Sequence, residues 1–232
     1  MKENLVISLD AMGTFLHLKQ PLADLYNQHI LSLGGNPLST EQVKEIWRKS
    51  YESMPKEVVH KKQDRYRSGF WKILTKNLSK EANITKPDLL YNKLMKYFIE
   101  PEIYSVEKSF DSFIQKAQQK QVPVIVLSNW DKRLPIVLKR LNVLGFFSLV
   151  ITSEEAGFEK PSPAIFAYAE KKLKEKKIVF SSNTIIHVGD RIIDDCEGAL
   201  AAGWKAILFQ SKNLKQAKCP MIDSLEQLWQ HL

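Results

Sequence analysis

Side chains that can act as nucleophiles, phosphate ligands or metal ligands follow four short apolar segments of the sequence. They are Asp10, Ser128, Lys160 and Asp190. A carboxylate at the end of a strand can attack phosphorus and form an acyl-phosphate, which divides one displacement into two. A hydroxyl can donate to phosphoryl oxygens, and a lysine can neutralise their charge. A second carboxylate supplies the oxygen ligands that Mg2+ prefers. Together these residue types suit chemistry at a phosphoryl group.

The apolar segments that precede these residues are predicted to be buried strands. From about residue 106 onward such segments alternate with helical patterns, which is typical of a parallel α/β sheet. Ligands bind outside the carboxyl ends of the strands in such sheets, so the four side chains are expected to converge. The predicted strands are 4–9, 122–127, 149–152, 184–188 and 204–209, and the predicted helices are 134–141, 163–173, 194–202 and 224–232.

The stretch 16–105 has a different pattern, with few β-branched runs and several segments of helical period. Glycine and proline breaks separate these segments. We therefore predict an all-helical domain inserted after the first strand, so that 1–15 and 106–232 form the α/β core. The helices predicted within the insertion are 22–33, 41–51, 67–78 and 88–98.

The composition limits the partners that this chain is expected to have. Its formal charge is +8, but the lysines are scattered among glutamates, and no zinc-finger or RNA-binding signature accompanies them. We therefore expect a small anionic substrate and no nucleic acid. No apolar run approaches the ~20 residues of a membrane span, and the first residues do not read as a signal peptide. Cys196 and Cys219 match neither a disulfide framework nor a zinc site, which favours reduced thiols in a cytoplasmic protein. A monomer or a homodimer is expected.

Taken in order, the segments after the strands resemble the four motifs of the haloacid dehalogenase (HAD) superfamily. The closest likeness is to the haloacid dehalogenase-like hydrolase domain-containing proteins. It rests on Leu-Ser-Asn-Trp-Asp-Lys-Arg-Leu at 127–134, on the run at 152–166 and on Gly189-Asp190 continuing to Gly198-Ala199. The resemblance implies a Rossmann-like three-layer α/β core, with 16–105 as a helical C1-type cap. It also implies a hydrolase, and a phosphatase acting on a small phosphorylated metabolite.

The same resemblance assigns roles to the residues of the motifs, with Mg2+ as the cofactor. Asp10, Thr14 and Lys160 would be catalytic, and Ser128, Asn129 and Lys160 would bind phosphate. The metal would be bound by Asp10, Asp190 and the backbone carbonyl of Met12, supported by Gly13, Gly189 and Asp195. Thr14 is expected to orient the nucleophile. Asp194 is expected to face away from the site, and His187 to be a core histidine.

Met12 departs from the family pattern, because family phosphatases carry a second aspartate two residues after the nucleophile. Methionine has no titrating proton, so it can neither protonate a leaving alcohol nor activate water. General acid–base help is typically worth ~10²–10⁴ in rate. The sequence therefore predicts weakened acid–base catalysis, with Asp131 as a candidate substitute acid.

Three interpretations remain open at this point. The first is a Mg2+-dependent phosphatase of reduced activity. The second is a 2-haloacid dehalogenase-type enzyme that cleaves a carbon–halogen bond without metal; it would need an arginine such as Arg48 to hold the substrate carboxylate, and Gly189-Asp190 does not match its fourth motif. The third is a non-catalytic pseudoenzyme that binds a phospholigand or a partner.

Overall fold

The structure is a computed structural model that describes residues 4–210 and 218–231. The chain forms two compact units, one made of Met1–His17 with Val106–Leu232 and the other of Leu18–Ser105. Strands β2 (Leu16–Leu18) and β3 (Tyr104–Val106) pair as a two-stranded sheet at the two points where the chain passes between the units.

A six-stranded parallel sheet forms the centre of the larger unit, which we call the core unit. Its strands are β1 (Val6–Leu9), β4 (Val124–Ser128), β5 (Leu149–Thr152), β6 (Ile185–Gly189), β7 (Lys205–Phe209) and β8 (Met221–Ile222). They lie in the order β5-β4-β1-β6-β7-β8. All residues of β1, β4 and β6 are buried, because helices cover both faces of such a sheet. The predicted α/β class with a parallel sheet is therefore confirmed.

The helices of the core unit connect these strands. They are α6 (Phe110–Gln119), α7 (Leu134–Arg140), α8 (Ser153–Ala156), α9 (Pro163–Glu175), a π-helix (Ile192–Glu197) and α10 (Gly198–Ala201). Helix α9 begins at a proline in its first turn and is capped by the Ser162 hydroxyl, which accepts a hydrogen bond from the Ala164 amide. The Thr152 hydroxyl caps α8 in the same way. Ile165, Phe166, Ala169 and Leu173 of α9 are buried at helical spacing.

The smaller unit is helical and contains α1 (Leu22–Ser32), α2 (Thr40–Glu52), α3 (Lys56–His60), α4 (Phe70–Glu81) and α5 (Pro87–Tyr97). Helix α2 begins with a capping box, in which Ser39 and Gln42 each accept from the other's backbone amide. Aromatic side chains hold the unit together: the Trp47 ring lies 4.9 Å from Phe70 and 6.0 Å from Trp71 between centroids. None of the helices in the described ranges is long and apolar enough to cross a membrane.

Several sequence predictions differ from the structure in detail. The segment 194–202 is a π-helix followed by one short α-helix, and not a single α-helix. The predicted helix 224–232 is a 3-10 helix over Leu225–Gln230, and residue 232 lies outside the described residues. The expectation of reduced thiols is wrong, because Cys196 and Cys219 form a disulfide across a Cα–Cα distance of 6.2 Å. Pairing of β8 with β7 brings these distant residues together.

Candidate active site

A cleft of about 320 Å³ opens at the carboxyl ends of β1, β4 and β6, where ligand sites form in parallel sheets. All of its lining residues belong to the core unit. They are Asp10, Met12, Ser128, Asn129, Lys160, Asp190, Arg191, Asp194 and Asp195. The structure thus brings together residues from four segments that are far apart in the sequence.

Asp10 follows β1, and its backbone amide donates to the carbonyl of Val188 in the neighbouring strand at 2.8 Å. The chain then turns sharply, because the Ala11 carbonyl accepts from the amides of Phe15 and Leu16. Gly13 has a φ of +86° in this turn. A Cβ at Gly13 would lie 2.5 Å from Asp190 Oδ2, so only glycine leaves room for that carboxylate.

Lys160 lies at the centre of the site, and its ammonium is buried. It donates to Asp10 Oδ1 at 2.7 Å and to Asp195 Oδ1 at 2.5 Å. Asn129 fixes the backbone of this lysine, because its amide donates to the Lys160 carbonyl at 2.9 Å and accepts from the Lys160 amide at 2.7 Å. The side chain of Asn129 therefore positions Lys160, and because it also lines the cleft, its predicted role as a phosphate donor stays a prediction.

Asp195 is held from several sides. Its Oδ2 accepts from the Arg191 amide at 2.9 Å, within the turn that begins the π-helix. Its Oδ1 lies 3.0 Å from His187 Nε2, and that nitrogen lies 3.2 Å from Lys160 Nζ. A Cβ on Gly189 would overlap the Asp195 carboxylate. Both oxygens of Asp195 are thus engaged by protein groups.

His187 is the residue of this network that sequence reasoning missed. It is fully buried with its hydrogen-bonding nitrogens satisfied, as predicted for a core histidine, but it also contacts Lys160 and Asp195. Its Nδ1 lies 2.9 Å from the hydroxyl of Ser8, the residue paired with it across β1 and β6. Two polar residues in otherwise apolar strands, each shortly before a motif acid, are the signal that could have revealed the pair.

The carboxylates of Asp10 and Asp195 both accept hydrogen bonds from the buried ammonium of Lys160, and these contacts shift the pKa of each group. Burial lowers the pKa of Lys160, but the Asp10 and Asp195 carboxylates together raise it above its ordinary value. Burial raises the pKa of Asp195, whereas Lys160 and His187 outweigh burial and hold that pKa well below its usual range. Burial raises the pKa of Asp10, and Lys160 offsets this only in part. Burial, followed by the Asp10 and Asp195 charges, raises the pKa of Asp190 to about 7.

Asp10 and Asp190 have the features of cation ligands. Ligand atoms of Asp10, Asp190 and Asp195 all lie within 4.8 Å of one another. Asp190 Oδ1 is buried and has no hydrogen-bond partner among the described residues. Such an orphaned carboxylate oxygen is costly unless a cation or water satisfies it. Because Asp195 is already engaged by protein donors, Asp10 and Asp190 are the carboxylates that could hold a divalent ion.

The remaining predicted residues divide into those that reach the cleft and those that do not. The Ser128 side chain lines the cleft and has no hydrogen bond to any described residue. The Thr14 hydroxyl is buried and likewise makes no hydrogen bond in the described part of the chain, so it does not orient Asp10 as expected. Asp194 lines the cleft and pairs with Arg191 at 3.1 Å, which corrects the prediction that it faces away.

Asp131 does not serve as the substitute acid expected from the sequence. It is buried outside the cleft lining, and its carboxylate accepts two hydrogen bonds from the Arg133 guanidinium, at 2.9 and 2.6 Å. Met12 does line the cleft.

The sequence model of the family "haloacid dehalogenase-like hydrolase" matches residues 6–203 of this chain. That range contains every residue of the cleft. The chain belongs to the haloacid dehalogenase-like hydrolase family. The resemblance read from the sequence motifs is therefore confirmed, and the chain is a hydrolase of this family.

Individual relatives agree with this assignment. The haloacid dehalogenase-like hydrolase domain-containing protein 3 of Danio rerio is 25% identical over 209 residues, which cover 88% of this chain and 84% of the relative. A glyceraldehyde 3-phosphate phosphatase of Methanothermobacter thermautotrophicus is 36% identical over 88 residues, covering 38% of this chain and 34% of the relative.

Solved structures of the family share the fold over nearly the whole chain. The HAD-hydrolase YfnB from Bacillus subtilis, bound to magnesium, has a TM-score of 0.73 at 19% identity and covers 99% of both chains. The L-2-haloacid dehalogenase RSc1362 has a TM-score of 0.71 at 18% identity, covering 99% of this chain and 98% of its own. Because a metal-bound hydrolase and a dehalogenase match equally well, the fold does not distinguish their chemistries.

Proposed function

We propose that this HAD-like hydrolase is a Mg2+-dependent phosphatase that acts on a small phosphorylated metabolite through an aspartyl-phosphate on Asp10. The observation that carries the proposal is the buried Lys160–Asp10 pair, 2.7 Å apart, at the floor of a small cleft. A fixed ammonium beside a carboxylate nucleophile balances the negative charge that a phosphate ester brings to the site.

The two carboxylate oxygens of Asp10 differ in their hydrogen bonding. Oδ1 accepts from Lys160, whereas Oδ2 has no hydrogen bond to any described residue. In the proposed reaction, a carboxylate oxygen of Asp10 forms a bond to phosphorus while the bond from phosphorus to the ester oxygen breaks, and the alkoxide leaves. Attack of water on phosphorus then releases inorganic phosphate and restores the carboxylate. Lys160 and the Ser128 hydroxyl would donate to the phosphoryl oxygens throughout.

Asp10, Asp190 and the backbone carbonyl of Met12 would hold Mg2+, as the orphaned Asp190 oxygen supports. When bound, the ion would neutralise charge on the phosphoryl group and align it with the nucleophile. It would also favour the ionised forms of both aspartates, whose pKa values are raised in its absence.

Met12 narrows the substrates that this site would turn over. The side chain cannot protonate the leaving oxygen, and Asp131 is occupied by Arg133. Esters whose leaving groups need no protonation, such as aryl, enol or acyl phosphates, should therefore react faster than alkyl phosphates. The match to a glyceraldehyde 3-phosphate phosphatase supports phosphate chemistry but covers only a third of that relative.

The alternatives are dehalogenation and ligand binding without turnover. For the dehalogenase, Arg48 is a poor carboxylate ligand because Glu45 and Glu52 of its own helix already pair with its guanidinium, each at 2.6 Å. For the non-catalytic binding protein, the cleft keeps the lysine and the carboxylates that the proposed reaction uses. The lining residues therefore give no support for binding without turnover. A cytoplasmic location and a monomeric or homodimeric state also remain proposals.

The test is hydrolysis of p-nitrophenyl phosphate with and without Mg2+. We expect Mg2+-dependent release of p-nitrophenol that Asp10→Asn abolishes and that Asp223→Asn, at an exposed position, leaves unchanged. Metal-independent release of chloride from 2-chloropropionate would instead establish the dehalogenase. Thermal stabilisation by phosphate or vanadate with no turnover of any activated ester would establish the binding protein.

A further inference from the structure

The buried imidazole of His187 lies between Ser8 and the charged centre of the site. Its Nδ1 is 2.9 Å from the Ser8 hydroxyl, and its Nε2 is 3.0 Å from Asp195 Oδ1 and 3.2 Å from Lys160 Nζ. The rings of Phe166 and Trp204 pack against the imidazole in T-shaped arrangements, at 6.0 and 6.4 Å between centroids. The ring is therefore held in a closed pocket, and none of its nitrogens reaches the cleft.

The tautomer of His187 follows from counting hydrogens. If Nδ1 carried the proton, it would donate to Ser8, and the Ser8 hydroxyl hydrogen would have no acceptor among the described residues. The lone pair of Nε2 would then face the Asp195 carboxylate at 3.0 Å. If Nε2 carries the proton, Ser8 donates to Nδ1 and Nε2 donates to Asp195 Oδ1, so the Ser8 hydrogen and the carboxylate both have partners. Lys160 Nζ, 3.2 Å from Nε2, is then a second donor to the same Asp195 oxygen.

This choice determines how Asp195 is held. An ammonium can only donate, and Lys160 donates to Asp10 and to Asp195. With an unprotonated Nε2, His187 would accept from Lys160 and could not donate to Asp195. With Nε2 protonated, His187 and Lys160 both donate to Asp195 Oδ1, which fixes this carboxylate beside the ammonium.

We propose that Ser8 and His187 are a positioning pair, in which the Ser8 hydroxyl fixes the Nε2–H tautomer of His187 so that His187 holds Asp195, the carboxylate that Lys160 bridges to Asp10. The effect on turnover rests on the proposed phosphatase function. The neutral state that a tautomer requires agrees with burial and the nearby Lys160 charge, which lower the pKa of His187.

The pairing of the strands explains why these two positions act together. Ser8 is opposite His187 in the register of β1 and β6. Side chains alternate between the faces of a strand, so Ser8 projects on the same side as Asp10, two residues on. The strands that carry Asp10 and Gly189-Asp190 therefore also carry the pair that orients their lysine.

The direct test is the nitrogen chemical shifts of His187 in 15N-labelled wild-type protein, assigned by their disappearance in His187→Gln. We expect an unprotonated Nδ1 and a protonated Nε2 at neutral pH, and a mixture of tautomers in Ser8→Ala. An Nδ1–H tautomer in the wild type would overturn the inference. The wild-type readout needs no turnover, so it stays decisive if the phosphatase proposal fails and even if Ser8→Ala does not fold.

Kinetics test the consequence for Lys160. Ser8→Ala should lower kcat for p-nitrophenyl phosphate roughly tenfold, the effect of one lost hydrogen bond, and change KM little because the ammonium remains. Ser79→Ala is the matched control, since Ser79 is a buried serine of the helical unit whose hydroxyl bonds to no described residue. His187→Gln, which keeps an N–H donor, should retain more activity than His187→Leu. Wild-type kcat in Ser8→Ala would overturn the inference.

Discussion

Gly13 and Asp190 are in such close contact that a Cβ at position 13 would lie 2.5 Å from Asp190 Oδ2. The turn after β1 that contains Gly13 therefore limits where the carboxylate of Asp190, a residue much later in the chain, can lie. Gly13 also has a φ of +86°, which L side chains rarely adopt. Two separate penalties thus act against any side chain at this position.

Gly13→Ala should displace the Asp190 carboxylate and abolish most Mg2+-dependent hydrolysis. The strained backbone adds a loss of about 1–2 kcal/mol in the free energy of unfolding. Gly34→Ala is the matched control, because Gly34 has a φ of +75° but a Cβ there would have no described atom within 4 Å. It should lose similar stability in urea denaturation and keep its activity. Full activity in Gly13→Ala would contradict the contact.

Asp190 should make stability fall as the pH rises in the absence of metal. Its pKa is raised to about 7 in the folded state, mainly by burial and then by the Asp10 and Asp195 charges. The folded protein therefore binds this proton more tightly than the unfolded chain does. The resulting stability is complete below about pH 4, the ordinary aspartate pKa, and is lost as the pH rises through about 7.

Asp190→Asn removes this titration, so in EDTA at pH 8 the variant should have a higher Tm than the wild type. At the same pH, saturating Mg2+ should raise the Tm of the wild type and leave that of Asp190→Asn unchanged. Asp223→Asn, at an exposed position, should behave like the wild type in both buffers. A wild-type Tm that does not respond to Mg2+ would count against the metal site.

Asn129 should matter for activity through the backbone of Lys160. Asn129→Ala removes the two hydrogen bonds that hold this backbone, and should cost about 1–3 kcal/mol in the free energy of unfolding. Asn27→Ala is a close control, because Asn27 makes the same two bonds to the backbone of Leu38, at 2.9 and 2.8 Å. Both variants should lose comparable stability in urea, but only Asn129→Ala should lose hydrolysis. Equal activities would refute the positioning role.

The sheet could be predicted because its strands are short apolar runs with clear ends. The prediction for β5 coincides with Leu149–Thr152, and that for β1 overlaps Val6–Leu9. The type of helix was harder to predict, because the spacing of apolar residues does not distinguish the π-helix Ile192–Glu197 from an α-helix. The pattern also gave no prediction for α6, although Phe110–Gln119 is strongly amphipathic.

The side chains of the cleft were predictable as far as they follow strands, because parallel strands all end at one edge. What the sequence could not supply is the partner of each polar group. The Ser8–His187 pair depends on the register of two strands that are 179 residues apart. The Cys196–Cys219 bond depends on β8 joining the sheet edge, and the loss of Asp131 as an acid depends on the rotamer of Arg133.

The Cys196–Cys219 disulfide should stabilise the core unit. It closes a loop of 23 residues, and the chain-entropy relation for such a loop gives about 3 kcal/mol. Dithiothreitol should therefore lower the Tm of the wild type. A Cys196→Ala/Cys219→Ala double variant should have a lower Tm that dithiothreitol does not change. A wild-type Tm that is the same with and without reductant would show that the bond contributes nothing.

Met12 is the residue whose replacement should increase turnover. Met12→Asp introduces a carboxyl group in the cleft lining, two residues after Asp10, where it can protonate the leaving oxygen. We expect kcat for an alkyl phosphate to rise by ~10² or more, and kcat for p-nitrophenyl phosphate to rise much less because its leaving group needs little protonation. Met12→Leu, which preserves the apolar volume, should leave both rates unchanged. If Met12→Asp folds, binds phosphate and still gains nothing on alkyl esters, the missing acid is not what limits this site.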